Sequence, residues 1–283
     1  MPQIHPMAVV ESGAELADDV VVGPFAFVGR QVQLGAGCIV HHHASIEGHT
    51  VVGEGNEFFP QCVIGALPQD LKYKGGNCRL VIGNNNTLRE GVTIHIGTEA
   101  GGGYTRVGDG NLLMVNVHIA HDCIIGSHCI IANNAMLAGH VQLEDYVNIA
   151  GGAAAHHFVR FGQHSYVGGF SGVTRDVPPY MVVDGHPIIV RGVNKNGLKR
   201  RSFTDDQLEP LKTAWRLLFK DATPMVPQFA VLEQMYPQNN EIRELLSFMR
   251  DSLAGKFGRF RESLRGRVTW DEESGENNEG NGK

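Results

Sequence analysis

An apolar residue recurs every six positions through most of this chain, and that period excludes nearly every ordinary fold. Counting in sixes from Ile4 gives Val10, Leu16, Val22, Val28, Leu34, Val40, Ile46, Val52, Phe58 and Ile64, all apolar. The step breaks over Leu67 to Arg79 and resumes at Ile82, Leu88 and Ile94. It breaks again over Thr98 to Thr105, then runs from Val107 to Val173 without a miss. An α-helix repeats its apolar face every 3.6 residues and a half-buried strand every second residue, so neither governs a period of six. Short strands joined by corners satisfy it. A small residue often follows the apolar one, as at Val22-Gly23, Leu34-Gly35, Val107-Gly108 and Ile125-Gly126. The 36 glycines among 283 residues show no collagen-like triplet, so they serve turns. A solenoid of short strands is the expectation.

These apolar-small pairs resemble hexapeptide-repeat proteins, in which three hexapeptides complete one triangular coil. The resemblance implies a mainly β fold, a left-handed parallel β-helix; the period alone does not fix the hand. Positions 18 apart then stack along one edge at the ~4.8 Å strand spacing. That register gives the histidines a meaning. From His121 the step lands on Gly139 and then His157, and from Asp122 it lands on His140. All five converge on one edge, with the outer coils ~10 Å apart. A lone histidine is more often a surface or core residue than a catalyst, but a cluster on neighbouring rungs suits general-base chemistry. A neutral imidazole takes the proton of a hydroxyl that attacks a thioester, and a backbone N–H steadies the oxyanion. Gly139, one rung above His121 and without a side chain to obstruct approach, suits that donor.

The repeat ends near Val177-Pro178-Pro179, and a helical segment is expected to follow. Thr204-Asp205-Asp206-Gln207 reads as a capping box, with Leu208, Leu211, Trp215, Leu218 and Phe219 on one helical face, although Pro210 interrupts it. Further helices are expected over Gln228 to Tyr236 and over Asn240 to Leu253, the latter with Ile242, Leu245, Leu246 and Met249 on one side. The division is a β-helix domain over 1–190, a C-terminal helical domain over 191–262 and a disordered tail over 263–283, where Asp271 to Lys283 is rich in Gly, Asn and Glu.

A net charge of −6 and a pI near 6.1 argue against nucleic acid as a partner, while Lys199, Arg200 and Arg201 form a local basic patch. No basic-then-apolar leader opens the chain and no apolar run reaches bilayer length, so a cytoplasmic protein with no integral membrane segment is expected. Cys38, Cys62, Cys78, Cys123 and Cys129 form no CxxC pair, which predicts reduced structural thiols.

Several stretches carry a closer resemblance. They are Val117-His118-Ile119-Ala120-His121-Asp122-Cys123, Ala132-Asn133-Asn134-Ala135, Leu137-Ala138-Gly139-His140-Val141, and Gly192-Val193-Asn194 with Gly197-Leu198-Lys199-Arg200-Arg201. Together with Ile64-Gly65 and Pro68-Gln69-Asp70-Leu71-Lys72-Tyr73, they resemble the UDP-N-acetylglucosamine 3-O-acyltransferase family of lipid A biosynthesis, over roughly residues 2 to 255. The resemblance implies transfer of an (R)-3-hydroxyacyl group from acyl carrier protein to the sugar 3-OH, with a phosphopantetheine thioester as donor, no separate cofactor, no metal, and a homotrimer. By position, His121 resembles the catalytic base and the Gly139 amide the oxyanion donor. Asp70, Lys72, His118, Asp122, His140, His156, Asn194, Arg200 and Arg201 resemble residues that orient the sugar nucleotide or the donor arm. Two adjacent guanidinium groups suit a diphosphate through paired charge-assisted bonds; by themselves they read more readily as a solvated basic turn, and the resemblance reverses that preference. Gly169 occupies the position that sets acyl length in the family. Its missing side chain implies a long acyl group, the plain alternative being a turn glycine, and Tyr166 nearby offers another stop.

The chain departs from the family pattern at His157, where the family usually has Gln, and at Ile96, where it usually has Arg. Both departures bear on substrate contacts, so N-acylation of the 3-amino sugar analogue stands as an alternative. The related N-acyltransferases carry an extra N-terminal uridine-binding domain, for which a repeat starting at Ile4 leaves no room. A third reading is a zinc enzyme like the β-helix carbonic anhydrases, suggested by His41, His42 and His43. Strand neighbours point to opposite sides, which argues against convergence of such a triplet on one ion.

Overall fold

The computed structural model describes residues 1–221 and 224–256. The predicted tail at 263–283 lies outside the described residues. Strands of two to four residues wind around three faces. The first face begins with Gln3–Ile4 and runs to Tyr166–Val167, the second runs from Val9–Val10 to Gly172–Val173, and the third from Glu15–Leu16 to Arg160–Phe161. Successive coils pair in parallel, as in His118↔Met136↔Ala154 and Ile124↔Gln142↔Arg160. Such strands are too short to persist alone, so each is held by the coils above and below. The residues of the six-residue step point inward and fill one continuous core, including Phe58, Leu80, Leu113, Ile125 and Phe161.

Most corners are two-residue turns whose second member adopts left-handed backbone, with φ of 60° at Asp122, 63° at His140 and 65° at Phe158. That conformation aims its N–H at the carbonyl one coil below: His140 donates to His121 at 3.0 Å and Phe158 to Gly139 at 3.2 Å. The first turn residue has no such acceptor in the ladder, and Pro6, Pro24, Pro60 and Pro179, which lack an N–H, all stand at that place. Along the corner from third to first face, side chains accept these spare N–H groups instead. Asn84 donates to Asp109 at 2.6 Å and Ser127 to Asp145 at 2.7 Å.

Both interruptions of the repeat leave from the same corner. Leu67 to Cys78 connects the second-face strand Val63–Ala66 to the third-face strand Arg79–Ile82, and Ile96 to Gly103 connects Thr93–His95 to Tyr104–Val107. This corner carries His121, Gly139 and His157. The loops therefore build walls beside the histidine edge and leave the other two edges bare of insertions.

His41, His42 and His43 lie at a corner rather than in a strand, which corrects the reason given for their failure to converge. His41 instead meets Glu57 at 2.7 Å, and the His43 ring stacks on Phe25. All five cysteines are free and buried, and burial pushes the Cys62, Cys123 and Cys129 thiols up to about 12.

Beyond the last coil the chain departs from expectation. A hairpin, Met181–Gly185 with Ile188–Val193, precedes the helices. Its first strand pairs in parallel with Tyr166–Val167 and its second returns antiparallel, so the first face closes with an added strand pair before helices begin. The six-residue step could not reveal it, because a hairpin alternates with period two. Helix α1, Lys195–Arg200, was also not foreseen; α2 spans Asp205–Trp215, α3 Met225–Met235 and α4 Asn240–Leu253. The capping box at Thr204 and Gln207 is present, and Pro210 stays inside α2 as its sixth residue, where it lacks the N–H that would bond the Asp206 carbonyl. Tyr180, Leu198, Leu208, Leu211, Leu232 and Leu245 share a second apolar cluster.

Inside the first cluster, Asn56, Asn86 and Asn111 form a buried ladder. Asn56 Oδ1 accepts from both Asn86 nitrogens at 3.0 and 2.9 Å, while Asn86 donates to the Gly108 carbonyl at 2.9 Å and accepts the Asn111 N–H at 2.8 Å. Asn86→Ala removes a rung and orphans its buried neighbours, at about 1–3 kcal/mol for each unsatisfied group. Urea unfolding of that variant is expected to show a loss of at least about 2 kcal/mol.

Candidate active site

Asp122 is the best-held side chain of the histidine edge. Its carboxylate is fully buried, accepting from Thr98 N–H at 2.7 Å, from Thr98 Oγ1 at 2.6 Å and from His121 Nδ1 at 2.7 Å. Its own N–H donates to Thr105 Oγ1 at 2.9 Å. Thr98 and Thr105 bound the second interruption, so this loop is tied to Asp122 at both ends. The Gly101 Cα also lies against the carboxylate: a Cβ there would fall 2.0 Å from Asp122 Cγ. Burial opposes ionisation of Asp122, but the bonds from His121 and Thr98 outweigh it and hold the group below the usual carboxylate range.

An ionised carboxylate only accepts, so His121 Nδ1 is the donor of this bond, and in the neutral ring the lone pair is then on Nε2. His121 Nε2 would lie 2.8 Å from a Cβ placed on Gly139, and Cε1 2.6 Å. Only glycine lets the ring lie there. Gly139 is a first turn residue, and its N–H makes no hydrogen bond among the described residues. At this edge the spare corner amide is left open beside an imidazole lone pair. His140 meets His121 edge to face at 5.2 Å, stacks on Phe158 at 4.4 Å, and puts Nε2 3.8 Å from Asp122 Oδ2.

A cleft of about 780 Å³ opens over this group, lined by His121, Asp122, His140 and His157 and by Asp70 and Lys72 of the first interruption. Asp70 Oδ1 accepts the Lys72 N–H at 2.9 Å, shaping that loop. The structure thus brings together six of the residues that the sequence singled out. His118 stands beside the cleft on the second face, its Nδ1 2.7 Å from Thr93 Oγ1. His156 leads into the same corner, with Nδ1 3.4 Å from the His157 carbonyl. Ile96 is buried in the core and lines no part of the cleft, so that departure does not act by direct contact.

The remaining residues lie elsewhere on this chain. Asn194, Arg200 and Arg201 line a second cleft of about 480 Å³ at the corner between the third and first faces, together with Tyr146, His164 and Tyr166. Arg201 stacks on the Tyr146 ring at 4.3 Å, and Asn194 caps α1 through Gly197 N–H. Gly169 sits at the third corner, between the first and second faces, where an added Cβ would meet the Gly151 carbonyl oxygen at 3.4 Å. Tyr166 faces the second cleft rather than Gly169.

Sequence reasoning missed Thr98, Thr105 and His95. The two threonines could have been found as the ends of an interruption at the histidine corner. His95 is buried with Nδ1 unpartnered among the described residues, its ring 5.0 Å from that of His118. Burial first, then the neighbouring His118 and His121, pushes His95 down to about 4; burial, then His121, also lowers His118. Burial and then Arg201 push His164 down to about 4. A histidine whose folded value lies below the ordinary 6.5 takes up its proton more readily unfolded. Stability is therefore expected to fall as pH drops from 6.5 toward 4, with a shallower fall in a His95→Asn variant, read from denaturant midpoints across that window.

Comparison with known proteins bears on the fold and the family. A family model described as UDP N-acetylglucosamine O-acyltransferase, domain 2, matches residues 176–256, and one described as bacterial transferase hexapeptide matches residues 104–139. An acyl-[acyl-carrier-protein]–UDP-N-acetylglucosamine O-acyltransferase of Anaeromyxobacter sp. is 42% identical over 252 residues, covering 89% of this chain and 98% of its own. The solved structure of the UDP-N-acetylglucosamine acyltransferase of Bacteroides fragilis superposes with a TM-score of 0.86 at 36% identity, covering 88% of this chain and 98% of that one. The UDP-N-acetylglucosamine O-acyltransferase of Moraxella catarrhalis gives 0.84 at 38%, covering 88% and 97%. The chain belongs to the UDP-N-acetylglucosamine O-acyltransferase family, acyltransferases built as a left-handed parallel β-helix of hexapeptide repeats followed by a small C-terminal helical domain.

Proposed function

We propose that this protein transfers an (R)-3-hydroxyacyl group from acyl carrier protein to the 3-OH of UDP-N-acetylglucosamine, the first step of lipid A biosynthesis, with His121 as general base. The observation that carries the reading is the His121–Asp122 pair, with the Nε2 lone pair facing a cleft beside the uncommitted Gly139 N–H. His121 Nε2 takes the 3-OH proton as that oxygen attacks the thioester carbonyl. The carbonyl oxygen becomes an oxyanion that the Gly139 N–H stabilises. Collapse breaks the carbon–sulfur bond, and His121 returns its proton to the departing pantetheine sulfur. Asp122 holds the imidazole in the required tautomer and steadies its positive charge. Lys72, Asp70, His140, His118 and His156 are assigned to orienting sugar and donor arm, and His157 extends that wall. The phosphopantetheine thioester is the acyl donor, and no cofactor enters.

Arg200, Arg201 and Asn194 lie in a separate cleft on the same chain, which supports a homotrimer in which a neighbouring copy brings its basic cleft to the His121 edge. In that arrangement the paired guanidinium groups hold the diphosphate and Gly169 limits acyl length. The free buried cysteines support a cytoplasmic location.

One observation favours a metal reading: His121, Asp122 and His140 offer ligand atoms within 4.8 Å of one another. Ligands at ~2.0–2.1 Å from a tetrahedral zinc lie ~3.3 Å apart, farther than the 2.7 Å between His121 Nδ1 and Asp122. That spacing is a hydrogen bond, and Asp122 already accepts from Thr98 as well.

The test incubates the protein with UDP-N-acetylglucosamine, or its 3-amino analogue, and a panel of hydroxyacyl carrier proteins, with products identified by mass spectrometry. Transfer to the hydroxyl sugar is expected; product only from the amino sugar would replace O-acylation by N-acylation. His121→Ala is expected to lower kcat by about 10²–10⁴, and full activity in that variant would sink the base assignment. Gly139→Ala drives a methyl into the His121 ring and is expected to cost about 10² in kcat with circular dichroism unchanged. Loss of activity on chelation, restored by zinc, would favour the metal reading.

A further inference from the structure

The corner between the third and first faces changes character along its length. Its left-handed positions are Gly37, Gly55, Asn85 and Gly110 on the earlier coils, then His128, Tyr146, His164 and Tyr180, with φ of 58°, 61°, 57° and 66°. Glycine and asparagine enter that backbone region readily, whereas a tyrosine does so against its own preference. Four successive rungs nevertheless carry rings. The rung spacing stacks them: His128 on Tyr146 at 5.0 Å, Tyr146 on His164 at 4.7 Å and His164 on Tyr180 at 5.8 Å, with interplanar angles of 12°, 7° and 16°. The change to rings coincides with the second cleft, which His128, Tyr146 and His164 line.

The column of rings holds the segment that carries the basic pair. Asn194 N–H donates to the Tyr180 carbonyl at 2.7 Å, and Asn194 Nδ2 to the His164 carbonyl at 2.9 Å. Phe203 meets the His164 ring edge to face at 5.4 Å. Between these anchors the Arg201 guanidinium lies over Tyr146 at 4.3 Å, with no ion pair and no side-chain hydrogen bond among the described residues. Its N–H donors are uncommitted. His164, pushed down to about 4 by burial and then by Arg201, is uncharged at neutral pH and does not repel the guanidinium. With His128 on one side and His164 on the other, the Tyr146 ring has no free face for a nucleobase. Binding an anion immobilises a long arginine side chain, and a guanidinium already seated on a ring has less freedom to lose. We propose that Tyr146 is a positioning residue for the sugar nucleotide, holding Arg201 ready for the diphosphate. The inference rests on the function proposed above, which gives Arg201 that ligand. Tyr146 acts through Arg201 and on affinity, so it sets KM for the UDP-sugar rather than turnover.

The test measures UDP binding by calorimetry, which needs no turnover, in the full-length protein and in Tyr146→Asn, Arg201→Ala and the double variant. Tyr146→Asn places at this rung the residue type that Asn85 has in the same column, so the left-handed turn is kept. It is expected to weaken UDP binding about three- to ten-fold when Arg201 is present, and by less than about two-fold when Arg201 is already alanine. Tyr146→Phe keeps the ring and is expected to restore the affinity, since the Tyr146 hydroxyl makes no hydrogen bond among the described residues. In the transfer assay, KM for UDP-N-acetylglucosamine should rise by the same factor in Tyr146→Asn, with kcat within about two-fold of the unmodified protein. Unchanged UDP affinity in Tyr146→Asn, or an equal loss with and without Arg201, would each overturn the proposal. Tyr146→Gly, matching Gly110 of the column, serves if the asparagine variant does not fold. If Arg201→Ala binds UDP as tightly as the unmodified protein, or if the unmodified protein binds none, the diphosphate assignment fails and the proposal falls with it. If the binding cycle comes out as expected while no acyl group is transferred, the positioning role stands and the reaction assigned to the protein fails.

Discussion

Everything in this molecule depends on the parallel hydrogen-bond ladder that joins each coil to the next. Strands two residues long have no stability of their own, so register is enforced by the coils above and below and by inward apolar residues. The ladder also has a residue it cannot satisfy, the first of each two-residue corner. Where that residue is proline the problem disappears, and where the next coil supplies Asp or Ser the N–H is bonded. At Gly139 it is left open in a cleft beside His121. A leftover of the fold is thus an uncommitted N–H donor beside an imidazole.

The site also depends on where the repeat fails. Both interruptions leave from the corner between the second and third faces, and each contributes what the regular coil lacks. The first brings Asp70 and Lys72 to the rim, and the second wraps Thr98 and Thr105 around the Asp122 carboxylate. A buried carboxylate is costly unless its lone pairs are filled. Here two contacts from Thr98 and one from His121 fill them, which fixes the imidazole through Asp122. Gly101 of that loop is part of the same packing, since any side chain there would strike Asp122.

Legibility in the sequence followed the range of the interactions. The spacing of His121, Gly139 and His157 was readable because stacking converts sequence separation into spatial register, and α4 was readable because its apolar face follows its own local period. The hairpin at Met181–Gly185 was not, because only pairing with Tyr166–Val167 makes it a strand of the first face. The departure at Ile96 was visible, but not that its side chain turns into the core. His41 to His43 looked like a strand triplet and proved to be a corner, where the six-residue step between Val40 and Ile46 puts it.

The sequence by itself determined the three-sided β-helix, the five residues of the histidine edge, and the family, because a six-residue step and its motifs are written in local order. Only the tertiary structure decided that Asp122 orients His121, that both interruptions wall the same cleft, and that Arg200 and Arg201 lie away from it on the same chain. Those facts depend on which corner a loop leaves from and which way a side chain turns, and neither is encoded in spacing. The physical reason is that a period fixes where a residue lies along the solenoid, whereas hydrogen bonds from distant segments fix what that residue can do there.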